Sequence, residues 1–432
     1  MTNNELVPII ITNTLIVPNT PGKAPYQGWV QIMNRQIFAV GSGEPPSTPS
    51  GWLHIDGSNH ALVPAFVNLH AHSHSSLTRG SAEGLPLLQW LAIVEQEQTR
   101  LTEEEAYIAA LATYAEALLS GTASIVDMCL FPEAAKEAAQ KIGIRAVIVP
   151  YTADSKPFTP KLERTAQLLK SQSNPSARVR IWCGIHDLES CSDEQIRAAL
   201  ELAVEYNVGL HLHCAESKAM FEKTMKRTSQ SPIEHLAWLG VFKVPTLLAH
   251  CIYVNNEDIT IMQKAQVNVA HCPHANLKLG SGIAPVPQML EAGVNVGLGT
   301  DGAKANNSLN MFEVAKFASL VHRGVHRNPS LLPSQQVLAM SSRNGSLALH
   351  IDSGEILAGR TADLMLLRLD RFHMQPAAST TIMPNIVFSA TAGDVDTVIV
   401  DGRIVVQDAE LLTADTSQLR RQSSEIGKKL IS

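Results

Sequence analysis

At 432 residues, 45% of them apolar and 17% charged, the chain has the composition of a globular protein and the length of two or three domains, or of one barrel with an addition. No uninterrupted apolar run approaches the ~20 residues of a membrane-crossing helix. The 34 basic and 40 acidic residues are scattered, to a net charge of −6, and leave no basic stripe for a nucleic acid.

The opening Met1-Thr2-Asn3-Asn4-Glu5 puts no basic segment before the short apolar run at 7–11, so no secretory signal is expected and the protein is expected in the cytoplasm. Residues 1–62 read as short strands at 6–11, 14–17, 29–32 and 37–41, separated by turn formers such as Pro18-Asn19-Thr20-Pro21-Gly22 and Pro45-Pro46-Ser47. From 63 to 345 strand-like runs (65–69, 123–127, 146–150, 179–183, 208–213, 246–250, 267–271 and 294–299) alternate with helical ones such as 102–120, 132–142, 192–206, 233–239 and 286–292. Eight such units predict a parallel (β/α)8 barrel of the TIM type, an α/β fold whose site lies at the carboxyl ends of its strands. After 345 the β texture returns at 362–367, at 398–400 and at 404–406, the last two around the hairpin signal Asp401-Gly402, and a polar helix is predicted over 417–430. Residues 1–62 and 346–432 are therefore expected to pair into one small β-sandwich domain beside a catalytic barrel of residues 63–345.

The polar residues fall where a barrel would need them. His70 and His72 end the first run, His186 follows the fourth, and His211 and His213 end the fifth with Glu216 just beyond. His250 ends the sixth run, His271 the seventh, and Thr300-Asp301 the eighth. Alternation along a strand puts His70 and His72 on one side, which makes them half of a metal site. An isolated pair of this kind is as readily an ordinary strand-to-loop boundary. His70, His72, His213 and Asp301 together supply three nitrogens and one oxygen, a donor set that suits one divalent metal with a position left for water; zinc is the first choice and iron the second. His54, His60, His235, His322, His326, His350 and His373 have no such placement and read as structural or surface residues. The six cysteines contain no CxxC pair and read as reduced, small core residues, three of them directly behind His213, His250 and His271.

Six ordered segments carry a resemblance that covers nearly the whole chain: 64–80 (PAFVNLHAHSHSSLTRG), 121–127 (GTASIVD), 211–217 (HLHCAES), 248–250 (LAH), 269–282 (VAHCPHANLKLGSG) and 297–312 (GLGTDGAKANNSLNMF). The chain resembles the amidohydrolase superfamily, in its branch of cytosine, guanine, triazine and S-adenosylhomocysteine deaminases and chlorohydrolases. The resemblance implies that His70, His72, His213 and Asp301 hold the metal, that Glu216 shuttles protons, that His250 stands beside the water to be activated, and that His186 touches substrate. His74, His274 and Asn276 are further candidate substrate contacts, although His74 and His274 are equally readable as solvated loop residues. His211 reads as a buried hydrogen-bonding residue, and His271 is open between the two readings. Position 184–187 reads Gly-Ile-His-Asp, without the lysine that would bridge two metals, so a single ion is expected.

The implied reaction is hydrolytic deamination of a purine, pterin, pyrimidine or triazine ring by a homodimer or larger homo-oligomer. Glu216 would protonate the ring nitrogen beside the carbon under attack. The alternative is the same scaffold acting on another C–N or C–Cl bond, or on a cyclic amide or ureide; a silent binding protein would be expected to lack ligands that are all present here. One departure bears on substrate. Nucleoside-type members often carry a Trp-Pro-x-Glu segment whose glutamate holds ribose hydroxyls. Here Gln98 falls at that offset, unless a one-residue gap brings in Glu97, which weighs against adenosyl substrates, and the added imidazoles of His74 and His274 at the mouth would suit a smaller, more polar heterocycle.

Overall fold

The computed structural model describes residues 6–156, 158–172, 174 and 177–432; the opening Met1-Thr2-Asn3-Asn4-Glu5 lies outside them. Among the described residues the eight expected parallel units are present. The strands are Phe66–Ala71, Thr122–Cys129, Arg145–Pro150, Val179–Ile181 with Cys183–Gly184, Leu210–Cys214, Thr246–His250, Asn268–His271 and Asn295–Leu298. They form two parallel ladders that meet at the fourth strand, which is broken at Trp182. At the break the Trp182 indole lies where a side chain on Gly209, just before the fifth strand, would stand, with 2.5 Å between a Cβ built there and the ring. The other seam, between the eighth and first strands, is closed by hydrogen bonds from Asp301 N–H to the His70 carbonyl (2.8 Å) and between the Asn68 amide and Thr300.

The helices begin where side chains can cap them. Thr102 and Glu105 form a capping box at the start of Glu103–Leu119, Ser192 caps Asp193–Glu205, and Ser217 caps Lys218–Thr228. The helix Leu87–Gln98, which the sequence reading did not single out, crosses the carboxyl face of the barrel and carries Leu87, Trp90, Leu91 and Val94 toward it.

Strands from both chain ends form one nine-stranded sheet, as the sandwich expectation required. His60–Pro64 and Leu364–Arg368 pair antiparallel at its centre, with Ile9–Ile16 and Val395–Val400 flanking them. Ile9, Ile11, Ile16, Val30, Ile32, Leu62, Leu364 and Ile399 give this sheet an apolar core of its own. Asp401 and Gly402 both adopt left-handed φ (54° and 74°), which is the two-residue hairpin expected from Asp-Gly. The final helix, Thr416–Ile431, is capped by Asp415 and packs on Glu103–Leu119. Barrel and sheet are tied by buried Arg145 on the third barrel strand, which donates twice to Asp363 (3.0 and 3.2 Å) and once to Asp401 (3.1 Å).

Candidate active site

The first barrel strand delivers His70, and His72 follows it. Asp127, buried on the second strand, accepts the Ser73 N–H (2.8 Å) and the Tyr114 hydroxyl (2.6 Å), which fixes the backbone just past His72. His213 ends the fifth strand. Ala215 then takes a left-handed turn (φ 50°) and sets Glu216 beside the cavity. His250 and Asp301 also have left-handed φ (72° and 62°), a costly conformation for residues with a Cβ, and both side chains face the cavity.

The hydrogen bonds of the three imidazoles settle their tautomers. His211 Nδ1–H donates to the Leu247 carbonyl (2.8 Å), so its Nε2 is free to accept from His70 Nδ1–H at 2.8 Å. His72 Nδ1 donates to the Met128 carbonyl (2.8 Å) and His213 Nδ1 to the His186 carbonyl (2.7 Å). All three rings therefore present Nε2 as a lone pair. The Nε2 atoms of His72 and His213 lie 3.1 Å apart, and His70 Nε2 is buried with no hydrogen-bond partner among the described residues. Asp301 Oδ1 stands 3.7 Å from His70 Nε2 and 3.4 Å from His72 Nε2. Unprotonated nitrogens pointed at one another beside a carboxylate repel unless a cation lies between them, so the residues fit a divalent metal, with His211, Met128 and His186 as the outer partners that orient its ligands. Burial, reinforced by the neighbouring imidazoles, holds His70 and His213 well below the usual histidine range, and burial takes His211 down to about 3, so these rings are neutral, as metal ligation requires.

Glu216 Oε2 and Asp301 Oδ2 each lie 4.0 Å from His250 Nε2. Burial, with Asp301 and Asp187 adding to it and His250 opposing, pushes the Glu216 carboxyl up to about 7, where it can both give and take a proton near neutral pH. His250 Nδ1 pairs with Asn276 Oδ1 (2.8 Å), which leaves Nε2 as an acceptor with no partner among the described residues.

His72, His74, His186, His213, Glu216, His250 and Asp301 share one cavity with Trp90, Gln98, Tyr151 and Asp187. Asn276 and His274 do not line it: Asn276 stands behind His250, and His274 bonds Asn306 (2.9 Å) with its ring against Phe317. Both residues sit on the short helix Pro273–Lys278, which turns them away from the cavity. His271 is buried outside it, against His322. Between Glu97 and Gln98 the choice is clear. Gln98 lines the cavity and donates to His74 Nε2 (2.8 Å), whereas Glu97 points away to Lys304 (2.5 Å). The sequence reading missed Asp187, whose Oδ2 lies 2.7 Å from His186 Nδ1 and whose Oδ1 accepts from the backbone of Glu189 and Ser190. An acidic residue directly after a candidate histidine was the available signal. Tyr151, Trp90 and Met220 carried none, since each reads as core.

The chain matches the model of the amidohydrolase family over residues 61–405. It is 34% identical to a 5-methylthioadenosine/S-adenosylhomocysteine deaminase of Syntrophomonas wolfei over 98% of this chain and 99% of that one. It is 35% identical to a 5'-deoxyadenosine deaminase of Methanocaldococcus jannaschii over 86% and 89% of the two chains. A crystal structure of an adenosine deaminase from Xanthomonas campestris with bound zinc shares the fold, with a TM-score of 0.90, 24% identity and 98% of each chain covered. With the barrel, the histidine and aspartate donors at its carboxyl face and a family match across most of its length, the chain belongs to the amidohydrolase family and is a hydrolase of carbon–nitrogen bonds other than peptide bonds.

Proposed function

We propose that the protein is a zinc-dependent, mononuclear deaminase of a 6-aminopurine nucleoside, converting the amino group to an oxo group with release of ammonia. The observation that carries this reading is Glu216, a buried carboxyl at about 7 facing His250 and Asp301 across the cavity. A reaction that must protonate a ring nitrogen needs such a group. The names of the relatives support a nucleoside of the adenosine type. Another part of the cavity wall supports it as well: Trp90 Nε1, His74 Nδ1 and Gln98 Oε1 are buried without hydrogen-bond partners among the described residues. Because His74 Nε2 accepts from Gln98, its Nδ1 carries the proton, and the wall offers two donors and one acceptor, which suits hydroxyl groups. The neutral Gln98 is thus compatible with an adenosyl substrate, contrary to what its place in the sequence suggests.

In this reading His70, His72, His213 and Asp301 would hold the zinc. When bound, zinc supplies a Lewis acid that makes a water molecule acidic near neutral pH. His250, its Nε2 kept as an acceptor by Asn276, and Asp301 Oδ2 receive and position the proton released from that water. Protonated Glu216 delivers its proton to the ring nitrogen adjoining the amino-bearing carbon, so that a C–O bond can form there without charge accumulating on the ring. The proton held by Asp301 then passes to the amino nitrogen, the C–N bond breaks and ammonia departs, while the proton of the new C–OH passes to Glu216 and restores its acid form as the oxo group forms. His186, oriented by Asp187, contacts the substrate edge nearest the fourth strand.

The test is ammonia release from a panel of 5'-deoxyadenosine, 5'-methylthioadenosine, S-adenosylhomocysteine, adenine, guanine, a chlorotriazine and a cyclic ureide, with metal analysis of the same preparation. Turnover of the nucleosides above the bare bases, with close to one equivalent of zinc, is expected. Chloride release, ureide opening, or two tightly held metal equivalents would overturn it.

A further inference from the structure

Lys304 is a fully buried cation that the reaction above does not use. It lies three residues past Asp301, in the short helix Ala303–Asn306 after the eighth strand, and its Nζ bonds Glu97 Oε2 at 2.5 Å. The other oxygen of Glu97 accepts from Ser81 Oγ (3.1 Å), in the segment after the first strand. The Lys304 carbonyl in turn accepts from Lys278 Nζ (3.1 Å), at the end of Pro273–Lys278. Glu97 thus joins the segments that follow the first and eighth strands to the last turn of Leu87–Gln98, a helix with no side-chain cap at its Pro86 start. In a helix consecutive side chains diverge by about 100°. With Glu97 committed to Lys304, the next residue faces the cavity, and that residue is Gln98, paired with His74.

We propose that Lys304 and Glu97 are positioning residues for specificity: their ion pair pins the end of Leu87–Gln98 in the rotation that presents the neutral Gln98 amide, and not the adjacent carboxylate, to the substrate's hydroxyl-bearing part. This rests on the nucleoside reading above. The physical reason is the cost of burying a charge. A Glu97 carboxylate turned toward the cavity would strand the Lys304 ammonium without a partner in a buried site, so the pair excludes that rotation.

The test uses the metal-loaded full-length enzyme. Lys304→Met is expected to raise KM for 5'-deoxyadenosine about tenfold, the scale of one positioned hydrogen bond, while kcat stays within about threefold and metal content is unchanged. KM for adenine, which has no sugar, should not move. Gln98→Ala should give a similar rise, and Lys304→Met in the Gln98→Ala background should add nothing further. A merely structural pair would lower the melting temperature yet leave KM at 25 °C unmoved, or would add to Gln98→Ala; either result overturns the proposal. If Lys304→Met does not fold, Glu97→Gln/Lys304→Met, which leaves no unpaired buried charge, takes its place with the same expected KM. Amide hydrogen exchange across 87–98 supplies a readout free of activity: faster exchange in the variant is expected, and unchanged exchange overturns the pinning. A native enzyme that deaminates no aminopurine nucleoside sinks the function reading, and the specificity role with it, even where the exchange result shows that the helix is pinned.

Discussion

Two buried polar clusters in this molecule are built to opposite ends. Around Arg145, where the barrel meets the terminal sheet, the guanidinium donates to Asp363 and Asp401, the Asp401 N–H donates back to Asp363, and Arg35 reaches Asp401 at 3.3 Å. At the barrel mouth, His70 Nε2, His250 Nε2, His74 Nδ1, Trp90 Nε1 and Gln98 Oε1 have no partner among the described residues although they are buried. Burying an unpaired polar atom costs roughly 1–3 kcal/mol, and these five belong to residues that line or back the cavity, where a bound metal or ligand can complete them. The paired cluster stabilises the chain, and the unpaired one is shaped for a ligand.

The strongest way to break the contrast is to remove a donor. His213→Ala or Asp301→Ala is expected to abolish stoichiometric metal and, with it, turnover, as read by metal analysis after dialysis; retained metal would move the site elsewhere. Next in size, Glu216→Gln keeps shape and metal but removes the proton relay, so turnover at saturating substrate should fall by ~100- to 10,000-fold with little change in melting temperature. Ammonia release within a few-fold of native would rule out the ring-protonation mechanism. On the paired side, Arg145→Met strips buried Asp363 of its guanidinium and leaves Asp401 to Arg35 alone, and should cost about 3–5 kcal/mol in denaturant unfolding, with turnover per folded molecule unchanged. The smallest effect sharpens the boundary between binding and chemistry. His186→Ala should raise KM or slow turnover with metal retained, and metal loss in that variant would add His186 to the ligands.

Some of this was legible in the chain. Strand periodicity is local, so the same-side placement of His70 and His72, and of His211 and His213 one pleat apart, could be read directly. The Asp401-Gly402 hairpin was readable for the same reason: the turn needs two left-handed residues and that pair supplies them. Other placements depended on partners far away in sequence. His274 and Asn276 follow a strand end just as His72 and His74 do, but Pro273–Lys278 coils there and carries them to Asn306 and His250. The room for the Trp182 indole depends on the missing side chain of Gly209, 27 positions on.

By itself the sequence determined the alternating barrel, the sheet drawn from both chain ends and the histidines and aspartate at the strand ends, because each follows from a period of two or a turn chemistry within a few residues. Only the tertiary structure decided that His211 completes His70, that Asn276 completes His250, and that Gln98 rather than Glu97 faces the cavity. A one-residue step in a helix rotates a side chain by about 100°, too fine for an offset to resolve, and the distant Lys304 fixes it by giving Glu97 a buried partner.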